Sequence, residues 1–185
     1  MANIKQHAGQ AIIHVGGNTQ ETATLVPHTS NGKMITKDQQ SASNPTQTPI
    51  LDFTADLIYM LGNISALMNT KWYLGILFND TSNLQFQIAE VGEVVLGKHL
   101  IRLQAGNKPD LYADHGHRLQ TYGPFNYFGE FGTIVQAIGG DSNIPVKNNL
   151  IGPSVATGAW TPEMVWDTGF IPAYTNSLSA LSVKQ

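Results

Sequence analysis

The chain has 185 residues, of which 42% are hydrophobic and only 12% are charged, with a formal net charge of -3. This composition supports one domain with a sizeable core. The ten Lys and Arg residues are not clustered, so nucleic acid is not expected as a partner, because its binding needs several cations aligned against phosphates. The absence of cysteine excludes disulfides, thiol catalysis and cysteine-ligated zinc.

The N-terminal region is polar and is punctuated by turn residues. Turn signals at Gly16-Gly17 and Asn31-Gly32 separate short strand candidates over residues 11–15, 22–26 and 33–36. Residues 1–47 are therefore predicted to be either an extended arm or a small β-hairpin followed by a linker. The first residues lack the apolar core of a signal peptide, so we expect a protein that is made soluble; its location is otherwise unpredicted.

Residues 49–69 carry the clearest helical signal. Thr48 is a suitable cap and Pro49 suits a first helical position. Apolar residues repeat at helical spacing on one wide face; they are Ile50, Phe53, Leu57, Met60, Leu61, Ile64, Leu67 and Met68. A helix of this length would be roughly 30 Å long, so it could lie across a sheet or cross a bilayer.

After Thr70 the apolar period changes from helical to alternating. Runs at residues 72–78, 84–89, 99–104, 133–138 and 177–184 alternate or are bounded by turn residues. Short strands at such spacing are typical of a sandwich or barrel. We predict a mainly β fold, a single antiparallel β-sandwich with one amphipathic helix and an N-terminal extension, in which residues 48–185 form the helix and sandwich domain.

Catalytic motifs are absent from the sequence. There is no phosphate-binding loop, no His-Glu-x-x-His, no Gly-x-Ser-x-Gly and no dinucleotide fingerprint. We therefore predict that the protein is not an enzyme and has no cofactor. His115 and His117 would share a face if they lay on a strand, and could then hold a metal, although a solvated turn is the more common outcome for two histidines alone.

Aromatic residues crowd into two segments that are rich in glycine and proline. The candidates for ligand or interface contacts are Tyr122, Phe125, Tyr127, Phe128, Trp160 and Trp166. On loops, such rings can stack on sugars or enter a lipid interface; the alternative is that they close one end of the core.

The order of these features resembles the actinoporin and aegerolysin group of small β-sandwich cytolysins. The resemblance covers residues 50–145: the helix with Phe53 and residues 61–64, the Gly-containing strand and Asn-rich turn over residues 71–82, His115-Gly116, and residues 132–138. It implies a soluble protein that docks on a lipid headgroup, self-associates, and inserts helix 49–69 into the bilayer. No residue matches the headgroup site of that family.

These observations predict a membrane-acting protein that binds lipid or forms pores and whose mobile element is helix 49–69. Two alternatives remain open. One is a structural subunit such as a viral or phage coat or fibre component, and the other is a lectin-like module that binds a glycan. Both agree with the low charge and the abundant Asn and Gln.

Overall fold

The computed structural model describes residues 2–38, 49–145, 150–152, 155 and 159–169. It is about 43% helical and 20% strand, which corresponds to an α/β fold. The helices are α1 (Ala2–Ala8), α2 (Ala55–Met68), α3 (Gln87–Leu96), α4 (Pro124–Gly140) and α5 (Pro162–Asp167). The strands are β1 (Ile12–Val15), β2 (Ala23–Leu25), β3 (Ile35–Asp38), β4 (Ile50–Phe53), β5 (Lys71–Ile76), β6 (Leu100–Ala105) and β7 (Leu150–Ile151). Short 3-10 helices occur at Asn18–Thr22, Gly97–His99 and Pro109–Leu111.

The main sheet is parallel throughout. Its order is β1-β5-β6-β7, and β1 pairs with β5 from Ile12 opposite Lys71 to Val15 opposite Leu74. Parallel neighbours need long crossover connections, which the helices between the strands provide. Because all four strands point the same way, their carboxyl ends meet at one edge, where α/β folds place their ligand sites.

One face of the main sheet packs against the helices. On β5 the buried side chains are Trp72, Leu74 and Ile76, and they share one apolar cluster with side chains from α2, α3 and α4. Helix α2 contributes Ile58 and Leu61 to this cluster. A buried hydrogen bond reinforces the contact, since the Trp72 indole N–H donates to Ser65 Oγ at 2.6 Å.

The prediction of a mainly β antiparallel sandwich is therefore wrong. The strands expected near residues 72–78 and 99–104 exist as β5 and β6, but they are parallel. Residues 133–138 lie in α4, where Phe131, Ile134 and Ile138 are buried at helical spacing. The segment 84–89 leads into α3 instead of forming a strand. The last expected strand, at 177–184, lies outside the described residues.

The predicted helix at 49–69 is divided into a strand and a shorter helix. Leu51 and Phe53 are buried alternately in β4, which lies between β2 and β3 in a second, mixed sheet. Helix α2 begins only at Ala55, after the extended Thr54. It is followed by Asn69, which has a left-handed backbone conformation. Strand pairing of β4 on both sides satisfies its backbone groups, and this tertiary contact overrides the local helical pattern.

The N-terminal strands are joined to residues far along the chain. Strand β1 pairs with β5, and β2 pairs with β4. The expected linker falls largely outside the described residues, from 39 to 47.

Candidate functional site at the carboxyl edge of the main sheet

The connection after β1 brings two polar side chains onto the carboxyl edge. Gly16 and Gly17 follow β1, and Gly17 has a φ of 106°, a backbone conformation that favours glycine. The turn leads into the 3-10 helix Asn18–Thr22, in which Gln20 and Glu21 are both buried. These two side chains lie against the ends of β5 and β6.

Gln20 closes the space beside β5. Its amide nitrogen donates to the carbonyls of Ile76 at 3.3 Å and Gln104 at 3.5 Å, while its oxygen accepts from the Gly17 N–H. A side chain at position 75 would collide with Gln20, so Gly75 is needed for this close approach.

Glu21 lies deeper and receives three hydrogen bonds. The Phe78 N–H, which follows β5, donates to one carboxyl oxygen at 3.1 Å. The other oxygen accepts from the Asn107 N–H, which follows β6, at 2.5 Å, and from the Tyr112 hydroxyl at 2.6 Å. One carboxyl group therefore connects the two loops that extend from neighbouring strands.

Burial controls the ionisation of this carboxyl group. Glu21 is only 2% exposed, and burial raises its pKa to about 7 against the lowering effect of its hydrogen bonds and of Arg118. Burial and the nearby Glu21 also raise the pKa of Tyr112 well above its usual value. Glu21 is consequently half protonated near neutral pH, a pH at which most glutamates are fully ionised.

The loop after β6 has a special backbone. Gly106 has a φ of 75°, and a side chain there would meet the Tyr112 hydroxyl and Phe78. Lys108 also has a left-handed backbone, with a φ of 53°, which is uncommon and unfavourable for a residue with a side chain. Such conformations tend to occur at functional sites.

These residues line a small pocket. Its walls are Asn18, Glu21, Asn107, Lys108, His115 and His117, and its volume of about 10 Å³ is enough for one water-sized group. The Asn107 side-chain amide donates to Asn18 Oδ1 at 2.9 Å, which joins the loops after β6 and β1. Lysine, histidine and asparagine side chains therefore line the pocket together with the buried Glu21 carboxyl group.

Arg118 joins the loop after β5 to helix α4. Its guanidinium forms an ion pair with Glu130 of α4 at 2.9 Å and donates to the carbonyls of Phe78 and Asn79. It also lies 5.5 Å from the ring centres of Tyr112 and Tyr122. Bidentate pairing and ring stacking are properties that lysine cannot supply together.

The predicted histidines do lie at this site. His115 and His117 have ring centres 6.2 Å apart and both line the pocket. Burial, followed by the charges of His115 and Arg118, lowers the pKa of His117. Among the described residues, no group of three His, Asp or Glu side chains is arranged to hold a metal.

The predicted aromatic residues divide between the core and the surface. Tyr122, Tyr127 and Trp160 pack together, with both tyrosine rings 6.1 Å from the tryptophan. Phe128 is partly buried against the same core. Phe125 and Trp166 are 65% and 61% exposed, and they remain available for external contacts.

The residues predicted to enter a membrane also divide. Phe53, on β4, and Leu61, on α2, are buried, and Ile64 packs against the core. Leu57 and Met68 are partly buried, whereas Met60 and Leu67 are exposed. No helix in the described part of the chain combines the length and hydrophobicity needed to cross a bilayer.

Comparison with known proteins identifies a structural relative. The chain is similar to the crystal structure of a 4-O-α-L-rhamnosyl-β-D-glucuronidase from Fusarium oxysporum 12S in complex with Rha-GlcA, with a TM-score of 0.64 and 18% identity over 95% of this chain. The match covers 36% of that enzyme's chain, so this chain spans about a third of its length. At this identity the likeness shows a shared fold alone. No family model and no curated protein matches the chain.

The prediction that the chain is not an enzyme is corrected here, because the chain shares its fold with part of a glycosidase. That prediction relied on the absence of contiguous catalytic motifs from the sequence. In α/β folds the reactive residues come from the ends of different strands, so they leave no contiguous motif. The cytolysin resemblance and the membrane, coat and lectin hypotheses are not tested by these comparisons and stay predictions.

Sequence reasoning missed Gln20, Glu21, Asn107, Lys108 and Arg118. A signal existed for three of them: Gln20 and Glu21 follow Gly16-Gly17 directly after β1, and Asn107 follows Gly106 directly after β6. A glycine turn at the end of an apolar strand is where a parallel sheet places its site residues. That signal has no meaning in an antiparallel sandwich, which is why it was not used.

Proposed function

We propose that this chain carries a carbohydrate-binding pocket of glycosidase type, which holds the carboxylate of an acidic sugar. The observation that supports the proposal is the pocket at the carboxyl edge, where Lys108, His115 and His117 surround the buried Glu21. Glu21 is largely neutral below its pKa of about 7, so it does not cancel the positive charge of Lys108 there. An anionic ligand group is the best electrostatic match.

The size and chemistry of the pocket agree with a sugar. A pocket of about 10 Å³ admits one water-sized group, such as a hydroxyl group or one oxygen of a carboxylate, while the rest of the sugar would lie above it. The amides of Asn18 and Asn107 supply neutral donors and acceptors for hydroxyl groups. The fold likeness to a glucuronidase in complex with Rha-GlcA supports the same ligand class.

We assign binding, and no bond cleavage, to this pocket. Glycoside hydrolysis usually employs two carboxyl groups on either side of the scissile bond. Of the residues that line the pocket, Glu21 alone carries a carboxyl group, and its oxygens already accept three hydrogen bonds. A cleaving pair of carboxylates would have to include residues beyond this lining.

Isothermal titration calorimetry tests the proposal with two matched sugars. D-glucuronate and D-glucose differ only in a carboxylate in place of a hydroxymethyl group, and we expect binding of glucuronate alone at pH 6. Lys108→Ala should weaken glucuronate binding about tenfold, the typical value of one charge-assisted hydrogen bond. The exposed Lys33, in the β2–β3 connection, provides the control variant Lys33→Ala, which should bind as the wild type does.

Equal affinity for the two sugars, or an unchanged affinity in Lys108→Ala, would contradict the proposal. Hydrolysis of p-nitrophenyl β-D-glucuronide, measured in parallel with the corresponding glucoside, reports separately on catalysis. Activity on the glucuronide that survives in Lys108→Ala would place its recognition elsewhere in the chain.

A further inference from the structure

Glu21 is the one pocket residue that holds both neighbouring loops by their backbone. Its carboxyl oxygens accept from the N–H groups of Phe78 and Asn107, the residues that follow β5 and β6 closely. Asn107 immediately precedes Lys108, whose left-handed backbone directs the chain into the pocket wall. The position of Lys108 thus depends on a hydrogen bond made one residue earlier.

We propose that Glu21 is a proton-linked positioning residue, which fixes the loop of Asn107 and Lys108 and makes anion binding at the pocket depend on whether its carboxyl group holds a proton. This inference rests on the proposed function for its ligand. It goes further in assigning a role to a group that need not touch the sugar at all.

The hydrogen bonds require a carboxyl group at this position. Three donors converge on two oxygens. A protonated carboxyl group can still accept from both backbone N–H groups, because its hydroxyl oxygen keeps lone pairs and the Tyr112 hydroxyl can turn to accept the proton, whereas an amide nitrogen accepts no hydrogen bond. A buried donor that is left without an acceptor is destabilising. Glutamine therefore cannot reproduce the arrangement, although it has nearly the same shape.

The charge on Glu21 faces the groups that would bind the anion. The titratable or charged side chains around it, on every element that packs there, are Tyr112, Tyr122, Tyr127, Lys108, His115, His117 and Arg118. When Glu21 loses its proton, a negative charge appears at the base of the pocket. A sugar carboxylate at the mouth is then repelled, whereas a neutral sugar is unaffected.

The dependence on pH has a definite direction. Affinity for glucuronate should fall about tenfold as the pH rises from 6 to 8, because an added like charge at close range is worth at least that factor. The lowered pKa of His117 places its own deprotonation at lower pH. The part of the affinity change between pH 6 and 8 that Glu21 causes is obtained by comparing the wild type with Glu21→Gln.

The test compares the wild type with Glu21→Gln and Glu21→Asp by calorimetry with D-glucuronate between pH 5.5 and 8.5. Glu21→Gln should bind more weakly at pH 6 and lose most of the decrease above pH 6. Glu21→Asp keeps an ionisable acid on a shorter stem, so it should retain the decrease at reduced affinity. A Glu21→Gln profile parallel to that of the wild type would overturn the inference.

A second measurement needs no ligand and keeps the two proposals distinguishable. In ¹⁵N spectra, the backbone N–H signals of Phe78 and Asn107 should shift together with one midpoint near pH 7 in the wild type, and this step should be absent in Glu21→Gln. If glucuronate fails to bind but the common step is present, the proposed ligand is wrong and the proton-linked positioning stands. If the two signals do not share a step, the positioning role is wrong whatever the sugar does.

Discussion

At the scale of single residues, the site is built from charged groups that have been buried together with partners. The Glu21 carboxyl group accepts hydrogen bonds from three donors. The Arg118 guanidinium pairs with Glu130, donates to two carbonyls of the loop after β5 and contacts two aromatic rings. An uncompensated charge in such surroundings would cost several kcal/mol. Folding and the shape of the pocket therefore depend on the same side chains.

The ionisation of Glu21 predicts how stability changes with pH. Its pKa is raised from 4.5 to about 7 in the folded chain, so the folded state holds a proton that the unfolded state loses first. Glu21 contributes its full stabilisation to the folded state below pH 4.5. This contribution to the free energy of unfolding decreases by up to about 3 kcal/mol as the pH rises to about 7. Urea unfolding of the wild type and of Glu21→Gln at several pH values measures the effect.

The comparison with Glu21→Gln is necessary because the lowered pKa of His117 gives a slope of opposite sign at lower pH. The difference in unfolding free energy between the two proteins isolates the carboxyl group. We expect that difference to shrink from pH 5 to pH 7.5; a constant difference would show that Glu21 titrates alike in the folded and unfolded states.

Gly106 should be among the least replaceable residues of the chain. Its φ of 75° disfavours any side chain, and a Cβ atom would strike the Tyr112 hydroxyl and Phe78. Gly106→Ala should lower the free energy of unfolding by about 2 kcal/mol or more. Thermal unfolding followed by circular dichroism measures this.

The matched control is Gly129→Ala. Gly129 lies inside α4 with open space where a Cβ atom would lie. Alanine there should therefore be neutral or should stabilise by up to about 1 kcal/mol through helix propensity. An equal loss of stability in both variants would show that the backbone at 106 is not special.

At the scale of elements, the sequence located most segments but misassigned several. Strands β1, β5 and β6 were predicted within a residue or two, because their apolar runs are short and bounded by turn residues. Helix α4 was not predicted, because Pro124, Gly129 and Gly132 are residues that usually indicate a loop. The spacing of Tyr127, Phe131, Ile134 and Ile138 is nevertheless helical, and their burial outweighs the weak local propensity.

The segment 49–69 shows why a continuous pattern can contain two elements. Ile50 and Phe53 fit the helical face that continues through Leu61. The burial of Leu51 and Phe53, however, alternates as it does in a strand. Only the presence of β2 and β3 on either side decides between these structures, and neither is local in sequence.

Helix α2 supplies a matched pair of substitutions. Leu61 is 4% exposed and belongs to the core, whereas Leu67 on the same helix is 77% exposed. Leu61→Ala should cost about 2–5 kcal/mol of unfolding free energy, and Leu67→Ala less than about 0.5 kcal/mol. Urea unfolding checks both values. Similar losses for the two variants would mean that the two faces of α2 are not distinguished by packing on the sheet.

At the scale of the whole molecule, strand direction was the decisive unknown. An apolar run in a sequence does not reveal whether its partner runs parallel or antiparallel, and β1 finds that partner almost sixty residues later. The candidate site follows from this direction, since Glu21, Phe78 and Asn107 meet only when three strand ends share an edge. The residues of the site could be read from the sequence only after the sheet was known to be parallel.

The pairing of β1 with β5 also affects the order of events during synthesis. A ribosome that adds about 5–20 residues per second needs roughly 3–12 s to extend the chain from the first of these strands to the second. Throughout that interval Ile12–Val15 has been synthesised, but its partner strand β5 has not. Strand β1 must therefore wait for its sheet partner longer than β2 and β3 wait for β4, and a chaperone that covers short apolar stretches could bind β1 during that interval.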